Sequence, residues 1–130
     1  MHLIEQLAPL RAHAGKRMTL GLDDATLLRL AKSHPDLEAA IAAAAAEHEA
    51  LRDEFADLFG MDEDAQMRAV QAGYVNFYAE DAINPYVALV ARGPWIVTIN
   101  GAVLYDAGGY GMIGFGHTPE AVLEAMSKPQ

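Results

Sequence analysis

Cysteine is absent from this sequence. That gap removes disulfides, thiolate nucleophiles and thiolate-bound zinc together. Basic residues are scarce as well: 9 Lys and Arg stand against 18 Asp and Glu, a formal charge of −9. The averaged field repels phosphate backbones and anionic lipid surfaces, so neither nucleic acid nor a membrane is an expected partner. Long apolar runs are missing too. The longest, at residues 39–46, is alanine-rich and far shorter than a bilayer span. The opening MHLIEQLAPLRAHAGKR lacks the basic-then-apolar layout of a secretory signal, and a cytoplasmic location is expected. What is present, 130 residues of which 52% are hydrophobic and 21% charged, suits one folded domain with a single core.

The chain changes character near residue 82. Residues 1–81 carry helical patterns with few glycines, and residues 82–130 carry prolines, glycines and β-branched residues. An α+β class follows: a helical N-terminal part, then a small three-stranded antiparallel sheet, a glycine-rich loop and a C-terminal helix. Over residues 36–59, Leu37, Ile41, Ala44, His48, Leu51, Phe55 and Leu58 alternate four and three apart, which predicts one long helix with an apolar stripe, stopped by Gly60. Its alanines at 42–46 present little bulk, so a neighbouring helix can approach closely. A second helix is expected from Asp62, with Asp62, Glu63 and Asp64 at its positive end and Met67, Val70, Tyr74 and Phe77 as its stripe. Shorter helices are expected over 4–13 and 24–32. The acids between Glu47 and Asp64 read as a solvated face.

Residues 86–91 form a β-prone run, and WIVTI and AVLYD flank Asn100-Gly101. That dipeptide predicts a two-residue hairpin turn with both residues at positive φ. Pairing across such a turn places Ile99 opposite Ala102, Val97 opposite Leu104 and Trp95 opposite Asp106. Thr118 as N-cap and Pro119 at the first helical position then open a last helix through Met126.

DAGGYGMIGFGHTPEAVLEA, residues 106–125, contains the spacing Gly109-x-Gly111-x-x-Gly114. A dinucleotide fingerprint needs a parallel strand before it, a helix starting within it and an acid about twenty residues beyond. Here the strand belongs to an antiparallel hairpin and the helix starts only at Thr118, so the nucleotide reading fails. Gly15-Lys16-Arg17 lacks the hydroxyl and upstream glycine of a P-loop. His48-Glu49 lacks a second histidine, and Asp62-Glu63-Asp64 lacks the glycine and terminal acid of a calcium loop. No metal site is expected, and His48 reads as a packed or hydrogen-bonded residue of its stripe.

NPYVALVARGPWIVTINGAVLYDAGGYGMIGFGHTPEAVLEAM, about a third of the chain, resembles the N-terminal part of class III pyridoxal-phosphate aminotransferases, the ornithine and 4-aminobutyrate aminotransferase group. The matching elements, in order, are Gly93, Asn100-Gly101, Tyr105-Asp106, the glycines from 108 to 111, Gly116-His117 and Pro119. The resemblance implies amino transfer between an amino acid or amine and a 2-oxo acid, pyridoxal phosphate as cofactor of the full-length parent, and a homodimer. It implies that Gly109, Tyr110, Gly111 and Met112 line the substrate side of the cofactor pocket, with Asn100, Gly101, Asp106, Gly116 and His117 as its structural motif. The same glycines also suit a tight turn that tucks the sheet against the last helix. His117, between Gly116 and Thr118, is expected to hold the loop through hydrogen bonds. No catalytic residue is expected in this chain: none of Lys16, Lys32 and Lys128 has a matching context, and the family's Schiff-base lysine lies downstream of the resembling segment. The isolated chain is thus expected to be inert and to bind no cofactor. The competing expectation is a stand-alone helical module that dimerises or docks through the seam over 37–58.

Overall fold

A computed structural model describes residues 2–12, 15–75, 79, 81–82, 84–108 and 114–129. Along them run α1 (Leu3–Ala12), α2 (Asp24–Ala31), α3 (Pro35–Leu51), α4 (Ala56–Gly60), α5 (Glu63–Gln71), β1 (Ala88–Arg92), β2 (Trp95–Thr98), β3 (Val103–Tyr105) and α6 (Glu120–Ser127). Helices first, an antiparallel sheet in the order β1-β2-β3 and a closing helix make the α+β class expected. No helix among the described residues is long and apolar enough to cross a membrane.

Proline opens α3 at Pro35, where the missing N–H costs no helical hydrogen bond. Four residues of the predicted stripe, Leu37, Ile41, Ala44 and His48, are buried, together with Ala40. Leu37, Ala40, Ile41 and Ala44 share one hydrophobic cluster with Leu7 and Leu10 of α1 and with Trp95, Val97 and Val103 of the sheet. The helical part therefore covers the sheet, and the two halves of the chain share their apolar interior. At α2, Asp23 caps the helix: its Oδ1 accepts from the Thr26 N–H at 2.9 Å and its Oδ2 from the Thr26 hydroxyl at 2.9 Å.

The single helix predicted over 36–59 is instead two. α3 ends at Leu51, a turn occupies 52–55, and α4 follows as a separate short helix that ends, as predicted, at Gly60. The cause is a contact that a straight helix forbids. Eleven residues of helix separate side chains by roughly 16 Å along the axis, whereas the rings of His48 and Phe59 meet edge-to-face at 5.1 Å. Phe59 is buried and Phe55 is left 43% exposed. α5 begins after Asp62 as expected but stops at Gln71, so Tyr74 lies beyond it and is exposed; Phe77 lies outside the described residues.

One acid of the supposed solvated face is inside the molecule. Glu63 is 1% exposed, and its Oε2 accepts from the backbone N–H of Met18 at 2.5 Å and of Thr19 at 2.7 Å. The buried carboxylate is thereby paired with two backbone donors of the segment that leads to α2.

The hairpin also differs from its prediction by one residue. Trp95 pairs with Tyr105, Ile96 with Leu104 and Val97 with Val103. The Thr98 N–H donates to Ala102 O at 2.9 Å and the Gly101 N–H to Thr98 O at 2.9 Å, closing a three-residue loop. Only Gly101, at φ 72°, takes a positive φ there, the geometry of a type I turn followed by a left-handed residue. Asn100 is held elsewhere: its amide exchanges hydrogen bonds with that of Gln66, at 2.7 and 3.1 Å. The shift turns Val103, rather than Leu104, toward the cluster containing Val97.

Candidate functional site

The ends of β1 and β2 meet at Gly93-Pro94, and the chain returns to this point after the glycine loop. Gly93 and His117 form a two-way backbone bridge: the Gly93 N–H donates to His117 O at 3.0 Å, and the His117 N–H donates to Gly93 O at 2.8 Å. Glycine is required at the adjoining position, because a β-carbon on Gly116 would lie 2.8 Å from the Gly93 Cα and Gly116 itself has φ 76°. Across the loop's base, His117 Nε2 and Asp106 Oδ2 are 2.9 Å apart. With Asp106 ionised, the Nε2–H donates to it. The other carboxylate oxygen accepts from the Gly108 N–H at 3.1 Å, and the Asp106 N–H donates to Pro94 O at 2.7 Å.

Beyond His117 the chain departs from its predicted helix start. Thr118 has φ 48°, a region that β-branched residues seldom adopt, and its hydroxyl donates to Ala91 O at 2.8 Å instead of capping the helix. Pro119 is the N-cap, and α6 begins at Glu120. Arg92 reaches over to Glu120, Nη1 to Oε1 at 2.7 Å, and ties β1 to α6 a second time.

Two adjoining clefts open here, of about 340 and 320 Å³, sharing Asp36, Gly93 and Phe115. Asp36 comes from the first turn of α3 and lies so close that a β-carbon on Gly93 would be 3.5 Å from its Oδ2. Phe115 projects with 83% exposure. The polar lining comprises Asp36 and Asp106 in one cleft and Asp36, Arg92, His117 and Glu120 among the residues of the other. Such a wall can present backbone and an aromatic face to a ligand and can orient a small polar group. No hydroxyl or thiol nucleophile is hydrogen-bonded to His117 among the described residues.

Of the predicted site residues, the structure brings together Asp106, Gly116 and His117. Asn100 and Gly101 are buried at the opposite end of the hairpin, where Asn100 binds Gln66 and Gly101 O accepts from Arg11 Nε at 3.2 Å. Gly109, Tyr110, Gly111 and Met112 lie outside the described residues. Asp36 and Arg92 were not anticipated: Asp36 read only as an acid at a helix start, which says nothing of a strand end almost sixty residues later. Phe115 was readable, since a large apolar residue between two glycines has no neighbouring side chain to cover it. Among the described residues, no group of three or more His, Asp or Glu is placed to hold a metal. No protein-family model, no curated protein and no solved structure matches this chain.

Proposed function

We propose that this chain forms the N-terminal part of a pyridoxal-phosphate-dependent class III aminotransferase, which moves an amino group between an amino acid or amine and a 2-oxo acid. The observation that carries the reading is the neck of the glycine loop. Gly93, Asp106, Gly116 and His117, which the resemblance singles out, are bonded or packed to one another although the first and last are 24 residues apart. The surface around the neck supports the reading as well. Phe115, Leu123 and Met126 are exposed, and α6 buries none of its residues, as suits a cavity rim completed by further polypeptide.

Pyridoxal phosphate needs a lysine amine, an acid at the pyridine nitrogen and a phosphate cradle. The residues present do not fit it. Neither cleft is lined by Lys16, Lys32 or Lys128, and Lys128 Nζ lies 3.5 Å from Glu124 Oε1, exposed. The part of this chain is to bound the substrate side and to hold the loop in place.

Reading the gene beyond codon 130 and expressing the complete product tests the proposal. A frame that continues into a lysine-bearing domain, with a product that takes up pyridoxal phosphate and absorbs in the near-visible, is expected. A stop directly after that codon, with a stable and discrete product, overturns it. In that event the interaction-module reading stands, and sedimentation at low concentration checks it by looking for a dimer. The residues Leu37, Ile41, Ala44 and His48 of that module's seam are buried within this chain, so its contact would use other surfaces.

A further inference from the structure

We infer that the groove between α4 and α5 docks a basic amphipathic segment of a partner protein. The break after α3 leaves Phe55 43% exposed and Met61 36% exposed, and together with Leu58 they floor an open groove of about 610 Å³. Carboxylates rim this floor: Asp53, Glu54 and Asp57 line it, and no Lys or Arg does. Arg52, next to the rim, is already engaged by Glu49 at 3.2 Å and Asp53 at 3.4 Å.

The floor is also braced from beneath. Leu58 O accepts from Gln66 Nε2 at 3.0 Å, and the same amide is tied to Asn100 at the hairpin tip. A braced apolar floor inside an acidic rim complements a helix with leucine- or phenylalanine-type anchors flanked by lysine or arginine. The apolar anchors supply affinity by displacing water from Phe55 and Met61, while the basic flanks set the orientation and exclude acidic competitors. The groove uses no residue of the clefts at the glycine loop, so the inference stands or falls independently of the aminotransferase reading.

Fluorescence anisotropy with three labelled synthetic peptides tests it: an amphipathic leucine–lysine helix, its leucine–glutamate counterpart, and a lysine–glutamine peptide without leucine. Binding of the first alone is expected, with a Kd on the order of 10 μM. Phe55→Ser weakens it about tenfold, and the combined change Asp53→Asn, Glu54→Gln and Asp57→Asn weakens it while flattening its salt dependence. Both variants alter exposed side chains, and unchanged thermal melts confirm that they fold. Equal binding of the leucine-free peptide, indifference to Phe55→Ser, or no binding at all overturns the inference. So does a dimer of the chain itself that Phe55→Ser dissociates, since the occupant would then be a second copy.

Discussion

The two ends of the β2-β3 hairpin use glycine in the same way and surround it differently. At the tip, Gly101 is buried beneath α1, where a β-carbon would lie 2.8 Å from Arg11 Cγ and 3.1 Å from Leu10 Cβ. At the base, a β-carbon on Gly116 would come nearest to the backbone of Gly93, beside the exposed Phe115. The tip is roofed by helices and satisfied by the Gln66 amide and the Arg11 guanidinium. The base is held by a backbone bridge, one His–Asp pair and a threonine hydroxyl. A turn glycine thus marks a backbone shape, and only its neighbours decide whether that shape supports the fold or frames an opening.

Substitution at the two glycines should separate these roles. Gly101→Val combines a positive-φ penalty with a collision in the interior, and a loss of about 3 kcal/mol is expected in urea unfolding. Gly116→Val forces a comparable local clash, but the neck can open while the interior stays closed, so about 1 kcal/mol is expected globally. Hydrogen exchange at the His117 and Gly93 amides should accelerate in Gly116→Val alone. Equal global losses would erase the distinction.

The amide pair behind the tip gives the next largest effect. Gln66→Leu leaves the buried Asn100 amide without its partner, for an expected loss of about 2 kcal/mol. Adding Asn100→Leu should cost less than the two single changes summed, and a double-mutant cycle by thermal melting checks the coupling. Additive losses would show that the pair is not acting as a unit.

The smallest effect serves as a control at a helix cap whose side-chain bonds stay within α2. Asp23 is held below the usual carboxylate range, chiefly by the Thr26 backbone N–H and then by the Thr26 hydroxyl. Because its folded value is depressed, its contribution is complete above the unfolded value and disappears as pH falls through the folded one. Asp23→Ala should narrow the gap to wild type in acid melts, and Asp23→Asn, which retains an acceptor, should melt between the two at neutral pH.

Much of the fold was legible in residue spacing. The stripe through Leu37, Ile41, Ala44 and His48, the stop at Gly60 and the antiparallel hairpin all follow from local chemistry. What spacing missed are tertiary choices. Nothing between Arg52 and Phe55 is a strong helix breaker, yet the fold bends there to bring Phe59 beneath His48. Asn100-Gly101 has the composition of a two-residue turn, but the bond from Asn100 to Gln66 selects the three-residue loop. Glu63 could have been found: it is one turn before Met67 and two before Val70, which places it on the inward face. At the candidate site, Asp106, Gly116 and His117 were named from their motif and do converge. Asp36 and Arg92 were not, because only the packing of α3 on the sheet brings the helix start to the strand end.

Arg11 makes the order of synthesis matter. Its guanidinium binds Gly101 O, 90 residues further along, and also Asp24 at 2.7 Å. While the ribosome is still translating the middle of the chain, Leu7 and Leu10 have emerged with no strand to rest on. The helices can pack on one another through Leu7, Leu10, Leu27, Leu37 and Ile41 as they emerge, but Trp95, Val97 and Val103 close that cluster, and Gly101 O takes up the guanidinium, only once the hairpin has been made.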